Sequence, residues 1–313
     1  MTKVLITPRS LSAGTHPKLK ALENRGYALV YPTPGATPQE ADLIKVIPGC
    51  IGWIAGVEPV SDAVINAADK LVAISRNGTG IDNLPMEAIN ARGIIVKRAQ
   101  GTNARGVAEL ALSLMLSAMR NVVQSDAGIR SGAWPRAIGS EISAAEIGII
   151  GLGAIGRELA EMCLALDAKV IGFDPYAPED VLTSHQGFER AADLGKLVAS
   201  SDVISLHAPM RSDGSPLLDA DLIAKLKLGA ILVNTARSGL VDGDAILAAL
   251  ENGTLRTYAT DVFDQEPPRR TALLDHPDTI QTSHIGGFTR ESVERTTEVT
   301  VQNLLDALQT EDA

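Results

Sequence analysis

The sequence predicts an α/β protein of two domains, each built on a doubly wound parallel sheet with helices on both faces. Short apolar strands alternate with helical segments along most of the 313 residues, and one glycine-rich turn joins a strand to a helix near the middle of the chain. Such alternation produces parallel strands, because each helix returns the chain to the same end of the sheet. A chain of this length has room for two such domains.

The first alternation occupies residues 1–97. Its predicted strands cover residues 4–7, 28–31, 51–55, 71–75 and 94–96, and its predicted helices lie near residues 17–25, 38–46, 62–67 and 85–91. No G-x-G-x-x-G turn occurs in this block. We therefore expect it to serve a purpose other than nucleotide binding.

The glycine-rich turn is G-x-G-x-x-G, formed by Gly151, Gly153 and Gly156 between a short apolar strand and a helix with an apolar stripe. Gly151 permits the tight turn, Gly153 lets the backbone approach a pyrophosphate, and Gly156 lets the helix pack close to the strand. The phosphates would lie on the N–H groups at the helix N-terminus, where Ala154 and Ile155 stand.

A second strand over residues 169–173 leads into Asp174, 18 residues after Gly156. This is close to the spacing of the acid that binds the adenosine ribose hydroxyls in dinucleotide-binding domains. An aspartate there accepts hydrogen bonds from a 2′-OH and repels a 2′-phosphate, so it favours NAD over NADP. A lone glycine motif is weak evidence, but strand, turn, helix, strand and acid in register predict a Rossmann NAD-binding domain.

The remaining elements complete this second alternation. We expect strands over residues 203–207, 230–236, 258–262 and 279–283, and a last helix over residues 290–308 that packs on the first domain. Residues 103–119 predict a long helix that is apolar on nearly every face, and the more polar residues 120–140 predict an exposed arm. The predicted domains are residues 1–99 plus 288–313, and residues 100–287.

Three polar segments follow strands of the second domain, the end at which ligands bind in such sheets. They are N-T-A-R-S-G-L-V-D at 234–242, D-V-F-D-Q-E-P at 261–267 and S-H-I-G-G at 283–287. Together with the glycine turn they resemble the D-2-hydroxyacid dehydrogenase family over essentially the whole chain, most closely its short phosphoglycerate dehydrogenase-like branch. The resemblance implies that Arg237, Glu266 and His284 are catalytic and that the first domain is a flavodoxin-like substrate domain.

The chemistry of these side chains supports the same roles. Oxidation of a 2-hydroxy acid removes the hydroxyl proton while a hydride leaves the same carbon, and a neutral His284 can accept that proton. Glu266 on the other ring nitrogen would fix the tautomer and stabilise the imidazolium. Arg237 offers a planar fork that matches a carboxylate. The hydride chemistry belongs to the cofactor.

The resemblance also implies further binding residues. Cofactor contacts are expected from His207, Thr235, Ala236, Asp261 and Gly286. For Asp261, which would meet the nicotinamide carboxamide, a purely capping role stays open. In the first domain Arg76, Asn77, Gly78 and Thr79 form a loop whose backbone N–H groups can hold a substrate carboxylate, with a plain turn as the alternative.

The substrate stays open between two classes. The R-N-G-T-G-I-D-N segment at 76–83 resembles the phosphoglycerate branch, whose members usually carry basic residues in the loop after the third strand; this chain has Glu58 there. Phosphoglycerate-type substrates and small unphosphorylated acids such as hydroxypyruvate or glyoxylate are therefore both candidates. Since the sequence ends at residue 313, we expect no appended regulatory domain.

Composition narrows the remaining possibilities. A net charge of −10 argues against non-specific nucleic-acid binding, and no apolar run approaches the roughly 20 residues that span a bilayer. Cys50 and Cys163 match no metal or redox spacing, so we expect no metal and a cytoplasmic setting. The resemblance implies a homodimer with residues 103–140 at the interface. A dinucleotide-sensing, corepressor-like scaffold is the alternative of another class, and turnover distinguishes it.

Overall fold

The computed structural model describes residues 2–309 of the chain. The described residues divide into two compact units, residues 2–103 with 290–309, and residues 104–289. The boundaries expected from the sequence stand at 99/100 and 287/288. Met1 and residues 310–313, which that expectation assigned to the first domain, lie outside the described residues.

The first unit is built on a five-stranded sheet in which every pairing is parallel. The strand order is β2-β1-β3-β4-β5, which is the flavodoxin-like order. The predicted fold class is confirmed for this unit. The strands are β1 (Lys3–Ile6), β2 (Ala28–Val30), β3 (Cys50–Ala55), β4 (Ala73–Arg76) and β5 (Ile95–Arg98).

Helices cover both faces of this sheet. On one face α2, α3 and α4 bury Leu43, Ile65 and Ile89 against Trp53 and other strand residues. On the other face α1 packs beside the C-terminal helix, whose Leu304 and Leu308 fit against Gly52 of β3, a position with no side chain in the way. The predicted return of the last helix to the first domain is correct. The helices are α1 (Lys20–Glu23, preceded by a 3-10 turn Pro17–Leu19), α2 (Glu40–Val46), α3 (Asp62–Ala67), α4 (Met86–Ala91) and the C-terminal helix (Arg290–Gln309).

The second unit holds a seven-stranded parallel sheet in the order β12-β11-β10-β9-β6-β7-β8. The chain moves outward from β6 through β7 to β8 and then crosses to β9 on the other side of β6, which creates the switch point of a Rossmann sheet. Only β8 was missed, because three half-buried residues are too short for a recognisable pattern. The strands are β6 (Glu146–Ile150), β7 (Lys169–Phe173), β8 (Phe188–Arg190), β9 (Val203–Leu206), β10 (Ala230–Asn234), β11 (Leu255–Thr260) and β12 (Thr279–Gln281).

The helices of this unit form a layer on each side of the sheet. Helices α5 and α7 bury one apolar cluster and α8, α9 and α10 bury the other. The bounds are α5 (Ala104–Met119), α6 (Val122–Arg130), α7 (Ala154–Ala165), α8 (Leu194–Ser200), α9 (Ala220–Ile223), α10 (Gly243–Glu251) and α11 (Ala272–Asp275), with 3-10 turns at Ile142–Ala144 and Ser238–Leu240.

Residues 103–119 and 120–140 differ in exposure, as the sequence predicts. Helix α5 buries most of its apolar residues, and on its exposed face Arg105 and Glu109 form an ion pair at 2.8 Å. The segment expected as an arm contains helix α6, which has no buried residue, and beyond it Trp134 and Ile138 are 79% and 97% exposed. Within residues 2–309 no single helix has the length and apolar character to cross a membrane; α5 and α6 meet both conditions only together, across a bend of 63°.

Candidate active site

The glycine-rich turn follows β6 at the switch point of the second sheet. Gly151 has φ +95°, which a side chain would strain, and its N–H donates to the carbonyl of Phe173. A Cβ on Gly156 would lie 1.9 Å from the carbonyl oxygen of Gly151, so helix α7 sits this close to the turn only with glycine there. Gly153 caps α7, and its Cβ position faces open space. The N-terminus of α7, with Ala154 and Ile155, therefore presents its N–H groups to a clear approach.

Asp174 stands at the end of β7, beside this turn. One carboxylate oxygen accepts from the N–H of Leu152 at 2.8 Å and the other from the N–H of Tyr176 at 2.8 Å. These bonds fix the carboxylate next to the glycine turn. Each oxygen keeps a lone pair with which it can accept from a ribose hydroxyl.

Two buried polar atoms at neighbouring strand ends have no protein partner. His207 follows β9; its Nε2 bonds to the Ser205 hydroxyl at 2.9 Å, while its Nδ1 is buried without a partner. Burial lowers the pKa of His207 to about 3, so the ring is neutral. Thr235 follows β10, and its hydroxyl oxygen is also buried and unpartnered. Unsatisfied groups of this kind are costly, and both lie at the edge of the sheet where a dinucleotide is expected.

The three predicted catalytic residues follow β10, β11 and β12, which are adjacent in the sheet. Arg237 lies three residues after β10, Glu266 six residues after β11 and His284 three residues after β12. Because the strands are parallel, their carboxyl ends meet at one edge. The structure thus brings together side chains that are 47 residues apart in sequence.

His284 and Glu266 form a hydrogen-bonded pair, with 2.7 Å between Nδ1 and Oε1. This bond is the main cause that raises the pKa of His284 above 6.5; the charges of Glu266 and Asp261 act in the same direction, while burial and Arg237 oppose it. The His284 side chain is 42% exposed. With Nδ1 engaged by Glu266, Nε2 is the ring atom available to a ligand, and it can gain or lose a proton.

Asp261 holds the loop that carries His284. Its carboxylate accepts from the Thr282 hydroxyl at 2.6 Å and from the N–H groups of Ile285 at 2.9 Å and Gly286 at 2.8 Å. The side chain is 1% exposed. These contacts agree with the capping alternative, extended from a single cap to a whole loop, and a contact with nicotinamide remains a prediction.

Asn234 plays the equivalent part for Arg237, and the sequence analysis assigned it no role. It is fully buried at the end of β10, where its amide donates to the carbonyl of Arg237 at 2.8 Å and accepts from the N–H of Ala236 at 3.1 Å. The guanidinium of Arg237 in turn donates to the Ala236 carbonyl at 2.7 Å. An asparagine closing the apolar run Ile231-Leu232-Val233 was the available signal, since a buried amide needs local partners.

The predicted substrate loop lies in the first unit, after β4. Two of its N–H groups are engaged within the protein, Asn77 with the carbonyl of Ala55 and Gly78 with that of Arg76. Arg76 is only 7% exposed and donates to the Asn77 carbonyl at 2.7 Å, whereas Thr79 is exposed. Anion binding by this loop therefore falls to Thr79, to the residues after it and to the Arg76 side chain, and stays a prediction.

The chain is similar in sequence to a family of dehydrogenases. Residues 112–286 match the model of the D-isomer specific 2-hydroxyacid dehydrogenase NAD binding domain. The chain is 37% identical over 295 residues to D-3-phosphoglycerate dehydrogenase of Methanocaldococcus jannaschii, covering 93% of this chain and 55% of that protein. It is 37% identical over 257 residues to the human protein of that name, covering 81% and 48%.

A solved structure extends the likeness over nearly the whole chain. The TT0316 protein of Thermus thermophilus superposes with a TM-score of 0.86 at 32% identity, covering 98% of this chain and 97% of that one. The chain spans about half the length of the curated relatives named above. The dinucleotide edge of the second sheet and the matched NAD binding domain agree: this chain belongs to the D-isomer specific 2-hydroxyacid dehydrogenase family and has its NAD-binding domain.

Proposed function

We propose that the chain is an NAD-dependent oxidoreductase that interconverts a D-2-hydroxy acid and its 2-keto acid. The observation that carries this proposal is the His284–Glu266 pair, bonded at 2.7 Å on the strand ends next to Arg237. A histidine held by a carboxylate, beside a guanidinium and at the edge of an NAD-binding sheet, is the set of groups that this reaction requires.

Each residue has a defined task in this reaction. Nicotinamide, when bound, supplies or accepts the hydride. For reduction, protonated His284 donates from Nε2 to the carbonyl oxygen; for oxidation, neutral His284 accepts the hydroxyl proton there. Glu266 stabilises the protonated ring, and Arg237 binds the substrate carboxylate. Asn234 and Asp261 position the two loops without touching substrate.

The cofactor contacts are proposed on the same footing. Gly151, Gly153, Ala154, Ile155 and Gly156 would hold the pyrophosphate and Asp174 the ribose hydroxyls. The unpartnered atoms of His207 and Thr235 support their assignment to the cofactor, together with Ala236, Asp261 and Gly286 beside them. Thr79 and Arg76, with Asn77 and Gly78 shaping the loop, would serve the substrate.

Two substrate classes have support. The names of the curated relatives favour 3-phosphoglycerate and its keto acid. The buried carboxyl of Glu58 in the first unit favours an unphosphorylated acid, of which hydroxypyruvate and glyoxylate are the simplest.

The direct test is NADH oxidation by purified protein with a panel that contains 3-phosphohydroxypyruvate, hydroxypyruvate, glyoxylate and pyruvate. We expect turnover with at least one of them, and a loss of more than about tenfold in kcat/KM for Arg237→Lys, which keeps the charge but not the fork. Tight NADH binding with no turnover of any keto acid would contradict the proposal and favour a dinucleotide-sensing scaffold.

We also propose that the chain forms a homodimer through residues 103–140. Support comes from the apolar side chains that α6 and the following segment expose, among them Val122, Ile129, Trp134 and Ile138. Light scattering at micromolar concentration should give twice the mass of the 32.9 kDa chain. A monomer under these conditions would refute the interface.

A further inference from the structure

Glu58 is a buried acid at the carboxyl end of the first sheet, where ligands of such sheets bind. It lies three residues after β3 and is 1% exposed. A fully buried glutamate is uncommon and costs free energy unless it is compensated. Its position therefore calls for a physical explanation that an exposed loop acid would not need.

A network of buried hydrogen bonds holds this carboxyl group. Its Oε1 accepts from the Gly56 N–H at 2.8 Å and from the Thr7 hydroxyl, and the Trp53 indole N–H donates to the same hydroxyl at 2.9 Å. Asn83 donates to the Glu58 carbonyl at 2.7 Å and so fixes the loop from the other side. Oε2, in contrast, is buried without a hydrogen-bond partner.

Gly56 provides the space in which the carboxyl group lies. A Cβ at this position would stand 2.6 Å from Glu58 Oε2 and 3.0 Å from the Cα of Pro8. A side chain at residue 56 is thus incompatible with Glu58 in its observed place. The loop after β3 therefore places a carboxyl group in the interior of the first unit, and residue 56 has no space there for a basic side chain.

Arg76, at the end of the adjacent strand β4, supplies a counter-charge. Its charge lowers the pKa of Glu58, against the larger effect of burial, which raises it. Arg76 is itself 7% exposed and packs along Gly78, whose Cβ position is 3.1 Å from Nη1. Two opposite charges therefore lie within electrostatic range in a poorly hydrated part of the first unit.

We propose that Glu58 offsets the charge of Arg76 and thereby selects a 2-keto acid whose distal end is uncharged, such as a hydroxymethyl group, over one that carries a phosphate. This inference rests on the proposed dehydrogenase function and names its substrate class. A phosphate dianion near Arg76 would be repelled by a carboxylate that water screens poorly, whereas a hydroxyl group would not. The specificity acts through charge, so Glu58 need not touch the substrate.

The test compares 3-phosphohydroxypyruvate with hydroxypyruvate in wild type and in Glu58→Gln. Glutamine has the same shape, and its amide oxygen can still accept from Gly56 and Thr7. We expect wild type to favour hydroxypyruvate at least tenfold in kcat/KM, and Glu58→Gln to raise the phosphorylated-to-unphosphorylated ratio at least tenfold, mainly through KM. Glu87→Gln, an exposed acid of the same unit, should leave the ratio unchanged.

Arg76→Met completes a double-mutant cycle. Arg76→Met alone should lower the phosphorylated-to-unphosphorylated ratio, and Glu58→Gln should still raise it in that background, because the carboxylate repels the phosphate whether or not Arg76 is present. A wild type that favours 3-phosphohydroxypyruvate, or an equal effect of Glu58→Gln on both substrates, would overturn the proposal. So would a ratio that Arg76→Met leaves unchanged.

A binding measurement separates this proposal from the catalytic one. The chain has two tryptophans, so in a Trp134→Phe background the fluorescence of Trp53 reports on the Thr7–Glu58 network directly. If no keto acid oxidises NADH, the dehydrogenase proposal fails, but the affinities for 3-phosphoglycerate and D-glycerate can still be compared. The ratio of these affinities should favour 3-phosphoglycerate at least tenfold more in Glu58→Gln than in the parent protein. Unchanged relative affinity, or no detectable binding of 3-phosphoglycerate to Glu58→Gln, would overturn the inference.

Discussion

The carboxyl ends of the two sheets present charged groups in opposite ways. In the second unit the two members of the pair His284 and Glu266 are 42% and 35% exposed, while the buried Asn234 and Asp261 direct hydrogen bonds to backbone groups of the loops. In the first unit the ionisable residues themselves, Glu58 and Arg76, are buried. Proton transfer needs an accessible ring nitrogen, whereas discrimination by charge is strongest where water is excluded. This difference fits the two proposals, proton transfer at the carboxyl edge of the second sheet and substrate discrimination at that of the first.

Removal of the exposed imidazole ring of His284 should have the largest effect on activity. His284 has φ +54°, a conformation that asparagine tolerates better than most residues, so His284→Asn removes the base with little strain. We expect kcat/KM to fall by about 100-fold to 10,000-fold, the usual contribution of a general acid or base. NADH affinity, measured by fluorescence titration, should be unchanged. Activity within threefold of wild type would exclude His284 as the acid.

Asp174 of the second unit is proposed to bind the ribose hydroxyls of the cofactor, in addition to the backbone N–H groups that it accepts from. Asp174→Asn keeps an oxygen for the Leu152 N–H and loses the charge. Hydrogen bonds to charged groups contribute about 1.5 to 3 kcal/mol. The NADH-over-NADPH preference in kcat/KM should therefore fall by roughly 10-fold to 150-fold. An unchanged preference, or a wild type indifferent to the 2′-phosphate, would contradict the assignment.

The supporting role of Asn234 predicts an effect on folding as well as on rate. Asn234→Ala leaves the part-buried N–H of Ala236 without its acceptor and removes one of the two donors to the Arg237 carbonyl, which keeps the Leu240 N–H. We expect a cost of about 1 to 3 kcal/mol in the free energy of unfolding. Urea denaturation measures this change. Asn90→Ala, an exposed substitution in α4, should stay within about 0.5 kcal/mol of wild type. Equal midpoints for the two variants would show that the turn before Arg237 needs no support.

A change at Glu266 should shift the pH dependence of kcat/KM, with a smaller effect than the substitutions above. The bond to Glu266 raises the pKa of His284 above 6.5, so the protonated ring needed for keto acid reduction persists below that raised value and is lost as the pH rises through it. The kcat/KM for reduction should fall over that range, while oxidation rises. Glu266→Gln removes the main cause and should move both limbs to lower pH; Glu87→Gln should not. An unmoved profile would show that another group titrates.

The candidate site residues could be predicted from the sequence because the spacing within short segments identifies them. The spacing of Gly151, Gly153, Gly156 and Asp174 defines a turn, a helix start and a strand end that lie within one β-α-β unit, so periodicity and glycine stereochemistry suffice to place them. Arg237, Glu266 and His284 were proposed as catalytic because their segments resemble motifs of the family. Each segment also follows a predicted strand, and parallel strands bring their carboxyl ends to one edge. Three-residue β8 escaped notice because it lacks the length for a pattern.

The amino-acid sequence alone is enough to predict two parallel sheets, the order of their elements, and the charged residues in the segments that follow each strand. Which of those charged side chains are exposed to solvent depends on the tertiary structure. Glu58 and Glu266 both precede a proline in a loop, yet one is 1% exposed beside Thr7 and Gly56, and the other pairs with His284. Burial depends on contacts between residues distant in the chain, such as Thr7 with Glu58 or Asn234 with the turn it supports. No local sequence pattern encodes how deeply a side chain is buried. The depth of burial in turn affects the pKa of the group and the charge that it presents to a ligand.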